Sequence, residues 1–256
     1  MPKTAVITGG AGGLGQALSA ALRDQGWHTV LIDLGGPELD ALAGDKNTSV
    51  YACDLTKPDQ CATTCKDIVR NRPSIDLVIY NAGVSQISAF ADSDMKTHRD
   101  LFEINYFAAV ECAKHFLLPI RSSKGTHLAV SSVAGFAPLF HRTAYAASKH
   151  ALEGFFKSLR AEEMAHGVHV TIAAPSFVAT NIGRPQAAEK GFVRPGSATD
   201  GLDYMMPKDA ARIILEGFRK QRDFIPVGRV ATLSSVLNRV APRFYFRQMM
   251  RTIGRH

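Results

Sequence analysis

Short, continuous apolar runs alternate along the chain with longer stretches whose apolar positions recur every three or four residues. The runs TAVITG (4–9), HTVLIDL (28–34), TSVYACDL (48–55), IDLVIYNAG (75–83), GTHLAVSS (125–132) and GVHVTIAAP (167–175) predict six strands, and DFIPV (223–227) a seventh. The helical pattern covers 13–25, 37–43, 57–70, 98–120, 143–166 and 207–220. Strands that are apolar on both faces belong in a parallel sheet covered by helices on both sides. With right-handed crossovers this predicts an α/β, doubly wound parallel sheet of about seven strands. The Gly/Pro/polar stretch 181–206 is too long for an ordinary connection, and such stretches are usually lids or disordered.

Composition adds bounds. At 256 residues the chain fits one domain with an appendage, divided here into 1–228 and 229–256. Hydrophobic content of 46% and charged content of 21% are ordinary for a globular protein. No apolar run approaches the ~18 residues of a membrane span, and MPKTAVITGG is too short in apolar residues for a signal peptide. A cytoplasmic location is the expectation. Cys61 and Cys65 can share a helix face, but no zinc-like Cys/His set follows them in sequence. The four cysteines (53, 61, 65, 112) are therefore read as reduced thiols, with no metal site.

Charge is unevenly spread. The net +7 includes six arginines (229, 239, 243, 247, 251, 255) in residues 224–256, which hold no Asp or Glu; 24 basic and 23 acidic residues remain elsewhere. From Arg239 the arginines recur every four residues, interleaved with Val236, Leu237, Val240, Phe244, Tyr245, Phe246, Met249, Met250 and Ile253. Pro242 must break any single helix, which predicts pieces at about 229–239 and 242–252. Such a basic, apolar tail packs on the body or on a second subunit, or covers the substrate mouth. Weak contact with an anionic membrane surface is the alternative. Nucleic acid is disfavoured, since the body carries little excess charge.

The first strand ends in VITGGAGGLGQAL, which opens the first helix. Gly9, Gly13 and Gly15 permit a tight turn and close approach of a phosphate to backbone. The helix N-terminus offers free N–H groups and the positive end of its dipole to a pyrophosphate. Asp33 ends the second strand, 24 residues after Gly9, where a carboxylate bonds the ribose hydroxyls of NAD and repels the 2′-phosphate of NADP. Neither Gly12 nor Leu34 offers the cation a 2′-phosphate needs, so NAD(H) is favoured over NADP(H). Asp54 can accept from an adenine amino group, or serve as a turn aspartate before LTKPD.

Tyr145 and Lys149 stand four apart in HRTAYAASKHALEGF, on one face of a helix. Taken together, these segments resemble the classical short-chain dehydrogenase/reductase family over residues 3 to 227. TGGAGGLG, including Leu14, fits the family's glycine turn, and CDLT fits its adenine-contacting segment with Asp54 and Leu55. NAG fits the segment Asn81, Ala82 and Gly83, which steadies the sheet near the cofactor. INYFAA places Asn105, VSSVAG places Ser132 thirteen residues before Tyr145, and YAASK fits Y-x-x-x-K. Pro175-Ser176 departs from the family's frequent Pro-Gly, while FVAT keeps Val178 and Thr180, the latter able to bond the nicotinamide carboxamide in relatives.

The resemblance implies a Rossmann-type fold and hydride transfer between a nicotinamide and a secondary alcohol or ketone. Tyr145 would move the proton, Ser132 would hold the substrate oxygen, and Lys149 would bond the nicotinamide ribose. A neighbouring ammonium lowers a phenol's pKa, and lowering it by about 2–3 corresponds to about 3–4 kcal/mol. Asn105 would hold a water linking Lys149 to solvent. His141 and His150 are read as exposed or substrate-lining, and Ser131 as structural. Ile182, Phe192, Met205 and Met206 suggest a hydrophobic substrate. The resemblance also implies a homodimer or homotetramer through 98–120 and 143–166. Two alternatives stand: an NADP(H)-dependent 3-oxoacyl-type carbonyl reductase, and a non-catalytic dinucleotide-binding regulator.

Overall fold

The computed structural model describes residues 2–180, 192–193 and 204–252. The strands are β1 (Thr4–Thr8), β2 (His28–Asp33), β3 (Thr48–Ala52), β4 (Leu77–Tyr80), β5 (Ser85–Gln86), β6 (Thr126–Val130), β7 (His169–Pro175), β8 (Phe192–Val193) and β9 (Phe224–Val227). The helices are α1 (Gly13–Arg23), α2 (Pro37–Asp40), α3 (Pro58–Asn71), α4 (Met95–Phe102), α5 (Ala108–Ser123), α6 (Thr143–Glu163), α7 (Pro207–Arg219), α8 (Arg229–Val240) and α9 (Pro242–Thr252). Seven strands form one parallel sheet in the order β3-β2-β1-β4-β6-β7-β9. β5 and β8 make a separate antiparallel pair.

Alternation along each strand sends neighbouring residues to opposite faces. On one face Val6, Val30, Val78, Tyr80 and Ile172 meet Cys61 and Ile68 of α3, Phe116 of α5 and Phe156 of α6. On the other, Ala5, Ile7, Leu31, Ile79 and Leu128 meet Leu18 and Leu22 of α1 and Ile214 of α7. All of these are buried, and full burial of one such aliphatic or aromatic chain contributes about 1.5–3 kcal/mol. Helix ends follow local chemistry. Pro stands in the first turn of α3 and α7, Asp94 caps α4 by accepting the Thr97 N–H at 2.6 Å, and α5 ends at left-handed Lys124.

The β5–β8 pair is not predicted by the sequence pattern, and two of the predicted helices differ from it. The segment 37–43 forms only one helical turn. The helix expected at 98–120 instead begins at Met95 and is interrupted by a π-helical turn, Glu103–Phe107. The extra residue there turns Asn105 inward, where it is buried; π-turns commonly mark functional positions. The basic tail forms two helices parted at Ala241, with Pro242 opening the second. Ile182, Ile253 and Arg255 lie outside the described residues, as does most of 181–206. No helix among the described residues is long and apolar enough to cross a membrane.

Candidate active site

The sheet order reverses direction between β1 and β4, and a crevice opens there beyond the carboxyl ends of the strands. It is a cleft of about 710 Å³, within the range of ligand sites. Gly9, Gly13, Leu14, Asp33, Asp54, Leu55, Asn81, Ala82, Gly83, Ser132, Tyr145, Lys149, Pro175, Val178 and Thr180 all line it. Gly15 and Asn105 stand behind the wall.

The glycine turn is packed so closely that side chains would not fit. Gly9 has φ +65°, and a Cβ on it would lie 2.8 Å from Ala82 Cα. A Cβ on Gly15 would meet the Gly9 carbonyl oxygen at 2.3 Å, and one on Gly13 the Thr180 carbonyl oxygen at 2.8 Å. Asn81 ties this turn to β4, its Nδ2 donating to the Thr8 and Gly9 carbonyls at 3.1 and 3.0 Å. A backbone cradle left open at the start of α1 is what a pyrophosphate requires.

Asp33 accepts the Ala11 N–H at Oδ2 and the Leu34 N–H at Oδ1, both at 2.8 Å. Glu38 lines the cleft beside it, and the described cationic residues of the wall, Arg142 and Lys149, belong to α6 and its N-cap. Asp54 is a turn residue as well as a wall residue. Its Oδ1 accepts from the Thr56 N–H at 3.0 Å and the Thr56 hydroxyl at 2.6 Å.

At the other end α6 presents its 3.6-residue periodicity to the cleft. Tyr145 and Lys149 are buried, one turn apart, with Nζ 6.0 Å from the phenol ring centre. Lys149 Nζ donates to the Val130 carbonyl at 3.0 Å. Ser132 is a cap after β6, accepting the Ala134 N–H at 3.2 Å, and its hydroxyl also hydrogen-bonds the Tyr145 phenol. The serine thus caps the turn and bonds the phenol at once.

The electrostatics add a second cation to this end of the cleft. Burial pushes the Tyr145 phenol up, opposed by the Ser132 hydrogen bond and then by the Arg142 guanidinium. The Lys149 ammonium is itself depressed to about 8, chiefly by burial, with Glu153 acting the other way. Arg142, the N-cap residue of α6, is thus a site cation that spacing alone did not reveal.

Asn105 is held by the protein around it. Its Nδ2 donates to the Val84 carbonyl at 2.9 Å and the Ser148 hydroxyl at 3.0 Å, and its Oδ1 accepts the Val84 N–H at 2.8 Å. Both amide hydrogens are committed to protein, so a water has only the remaining lone pair of Oδ1. That oxygen and Lys149 Nζ both face Gly83, where a Cβ would lie 3.0 and 3.4 Å from them.

Ser176 follows β7 without positive φ, its N–H and hydroxyl both directed to the Val227 carbonyl. His150 is exposed, and His141 stacks on Phe140. Away from the cleft, Cys112 joins Cys61 and Cys65 in one buried cluster, with Cys61 and Cys112 Sγ 3.5 Å apart. The third thiol is 51 residues from Cys61, too far along the chain for local spacing to reveal it. These thiols sit within an apolar core, where cysteine packs as a small hydrophobe.

Comparison with known proteins fits this geometry. The short chain dehydrogenase family model matches residues 3–191. The chain belongs to the short-chain dehydrogenase/reductase family. It is 30% identical to dehydrogenase/reductase SDR family member 7B of Bos taurus, over 95% of this chain and 79% of that protein. Zerumbone synthase of Zingiber zerumbet is 27% identical, over 83% and 86%. A Burkholderia cenocepacia short chain dehydrogenase solved in complex with NADP has a TM-score of 0.82 at 20% identity, covering 97% and 98% of the two chains. A Streptomyces avermitilis short-chain dehydrogenase gives 0.80 at 21% identity, covering 98% of each. The protein is therefore an oxidoreductase of this family, with a nicotinamide cofactor site in a Rossmann-like sheet.

Proposed function

We propose that the protein is an NAD(H)-dependent oxidoreductase that interconverts an apolar secondary alcohol and its ketone. The observation that carries this reading is the Tyr145 phenol in the cleft wall, bonded to Ser132 with Lys149 one turn away. When bound, the nicotinamide supplies or takes the hydride. In reduction, Tyr145 gives its proton to the carbonyl oxygen, and the Ser132 hydroxyl holds that oxygen as charge develops. Burial raises the phenol and so favours its protonated, proton-donating form. The Lys149 charge attracts electron density onto the phenol oxygen as its proton leaves. Asn105 positions rather than reacts: it fixes the Val84 backbone at the cleft wall and the Ser148 hydroxyl within α6.

Gly9, Gly13 and Leu14 would hold the pyrophosphate with Gly15 packed behind them, Asp33 would hold the adenosine ribose, and Asp54 with Leu55 the adenine. Asn81, Ala82 and Gly83 would back the nicotinamide ribose, which Lys149 would bond. Pro175, Val178 and Thr180 would flank the carboxamide. Val84, Ile87, Leu139, Phe177 and Tyr204 line the substrate end, and their character supports an apolar substrate. A homodimer or homotetramer through α5 and α6 is supported by Phe107 and Leu118, which α5 and its N-cap leave exposed.

The NADP(H)-dependent reductase remains the second reading, because the Burkholderia protein was solved with NADP. Asp33 and Glu38 at the adenosine end weigh against it, since both carboxylates repel a 2′-phosphate. The test is NADH and NADPH oxidation across a panel of apolar ketones. Turnover with NADH supports the proposal. Tight NADH binding with no turnover of any ketone or alcohol would assign the protein to nucleotide-binding regulators instead.

A further inference from the structure

The α8–α9 pair carries Arg229, Arg239, Arg243, Arg247 and Arg251 and no carboxylate. On α8 the inward line is Ala231 and Ser234, both buried, while Leu233, Val236 and Val240 project the opposite way and are 66, 59 and 78% exposed. On α9, Tyr245 and Met249 are buried, and Arg243, Arg247 and Arg251 run along the outer line at four-residue spacing. Phe244 and Phe246 flank that line at 59 and 51% exposure. Five large apolar side chains thus stand more than half in water among five guanidinium groups. Isolated exposed apolar residues need no explanation, but a cluster of this kind marks an interaction surface.

The pair is anchored to the body. Asn238 Nδ2 donates to the Phe136 carbonyl at 2.7 Å, and the Tyr245 hydroxyl to the Pro138 carbonyl at 3.4 Å. Val133 and Ala137 pack on Ala231, Tyr245 and Met249. The segment they hold, between Ser132 and Tyr145, also sends Leu139 into the cleft wall. A groove of about 410 Å³ between this segment and α9 is lined by Pro138, Asn238, Pro242, Arg243, Phe246 and Arg247. Its two arginines are one helical turn apart beside an exposed phenyl ring, a setting that suits a phosphate whose ester chain continues into apolar surroundings.

We propose that the outer face of α8 and α9 docks on an anionic phospholipid surface, beside the substrate end of the cleft. Charge decides between occupants. A two-fold contact with a second copy would set this face against itself, arginine facing arginine with no carboxylate to intervene. A nucleic acid would answer the arginines but leave Leu233, Val236 and Val240 against phosphate or water. A lipid interface takes both components, acyl boundary for the apolar side chains and headgroups for the guanidinium groups on their aliphatic stems. Since the rest of the chain is almost charge-balanced, the attraction is local to this face and fixes the orientation of the body on the surface. The proposal does not depend on the reaction assigned to the cleft.

The test is flotation of the full-length protein with phosphatidylcholine vesicles, with and without phosphatidylglycerol, at low and high salt. The expected result is association with the anionic vesicles at low salt, at least about tenfold stronger than with neutral ones and reversed by high salt. Two multiple variants, Arg243→Gln with Arg247→Gln and Leu233→Ser with Val236→Ser and Val240→Ser, each lose association while keeping NADH affinity and melting temperature, because the altered side chains are exposed. Absence of association with anionic vesicles at low salt overturns the proposal, as does equal flotation with neutral vesicles. A dimer that the Leu233, Val236 and Val240 variant dissociates, without vesicle association in the parent protein, gives the face to a second copy and also overturns it.

Discussion

The Ser131 hydroxyl donates to the Glu153 carboxylate at 2.8 Å, and that carboxylate is itself buried one helical turn beyond Lys149. Tyr145, Lys149 and Glu153 therefore form a single line along α6, with Glu153 bonded to the strand-end serine and acting on the buried ammonium through its charge. Its Oε2 also accepts from Lys157 at 2.7 Å. The geometry leaves no slack here: a Cβ on Gly135 would meet Ser131 Oγ at 2.2 Å and Glu153 Oε1 at 2.4 Å.

Glu153 raises the Lys149 pKa against the larger effect of burial. Removing its charge must then lower that pKa below the present value of about 8, so Lys149 loses its proton earlier as pH rises. In Glu153→Gln, which keeps an acceptor for Ser131, the limb of the kcat/KM profile that belongs to Lys149 moves to lower pH. An unmoved limb would show that Glu153 does not act through Lys149. Glu153→Ala also orphans the Ser131 hydroxyl and costs about 1–3 kcal/mol in denaturant unfolding, a loss that the Gln variant largely avoids.

Tyr145→Phe separates proton transfer from binding. The ring and its packing stay, while the hydroxyl that Ser132 bonds is gone. Turnover falls by about 10²–10⁴-fold, the range of a positioned acid–base group, and NADH affinity measured by fluorescence titration changes little. Turnover near that of the parent protein would end the assignment of Tyr145 as the proton donor.

The parts of this fold that were legible in the sequence are those governed by short periods. Continuous apolar runs become strands because both faces of the sheet are covered, and Tyr145 and Lys149 share a face because a helix repeats every 3.6 residues. The π-turn at Asn105 was not legible. It inserts one residue between two helical stretches, and the Asn105 it turns inward bonds Val84, 21 residues away along the chain. Glu153 reads as a solvated glutamate until β6 delivers Ser131 to it. Arg142 precedes the helix pattern, and Cys112 meets Cys61 only through the packing of α5 on α3. In each case the missing information is a contact between elements distant in sequence.

Asp33 predicts cofactor preference. Its carboxylate is fixed by two backbone N–H groups at the end of β2, with Glu38 near and no cation at that end of the described cleft. The expected result is that the protein binds NADH at least about tenfold more tightly than NADPH. Asp33→Asn removes the charge and keeps one of the two backbone acceptors, and it narrows that ratio mainly by improving NADPH. Calorimetric titration of both nucleotides against both proteins is the measurement, and equal affinities in the parent protein would remove the NAD(H) assignment.

His127 predicts an acid sensitivity that is independent of catalysis. Its ring is fully buried beneath the sheet, with Nδ1 2.6 Å from the Tyr80 hydroxyl and Nε2 without a partner. Burial lowers its pKa from 6.5 to about 4, with Glu163 raising it and Arg121 lowering it further. The unfolded chain therefore takes up a proton between those two values that the folded chain refuses. The contribution is fully present above pH 6.5 and is lost as pH falls toward 4. From neutral pH to about pH 4.5 this single group costs the native state about 2–3 kcal/mol. His127→Gln retains a side chain that can bond the Tyr80 hydroxyl but has no titrating group, so its unfolding free energy declines less over that interval. Urea denaturation at both pH values measures the difference, and parallel losses in the two proteins would exclude His127 as the source.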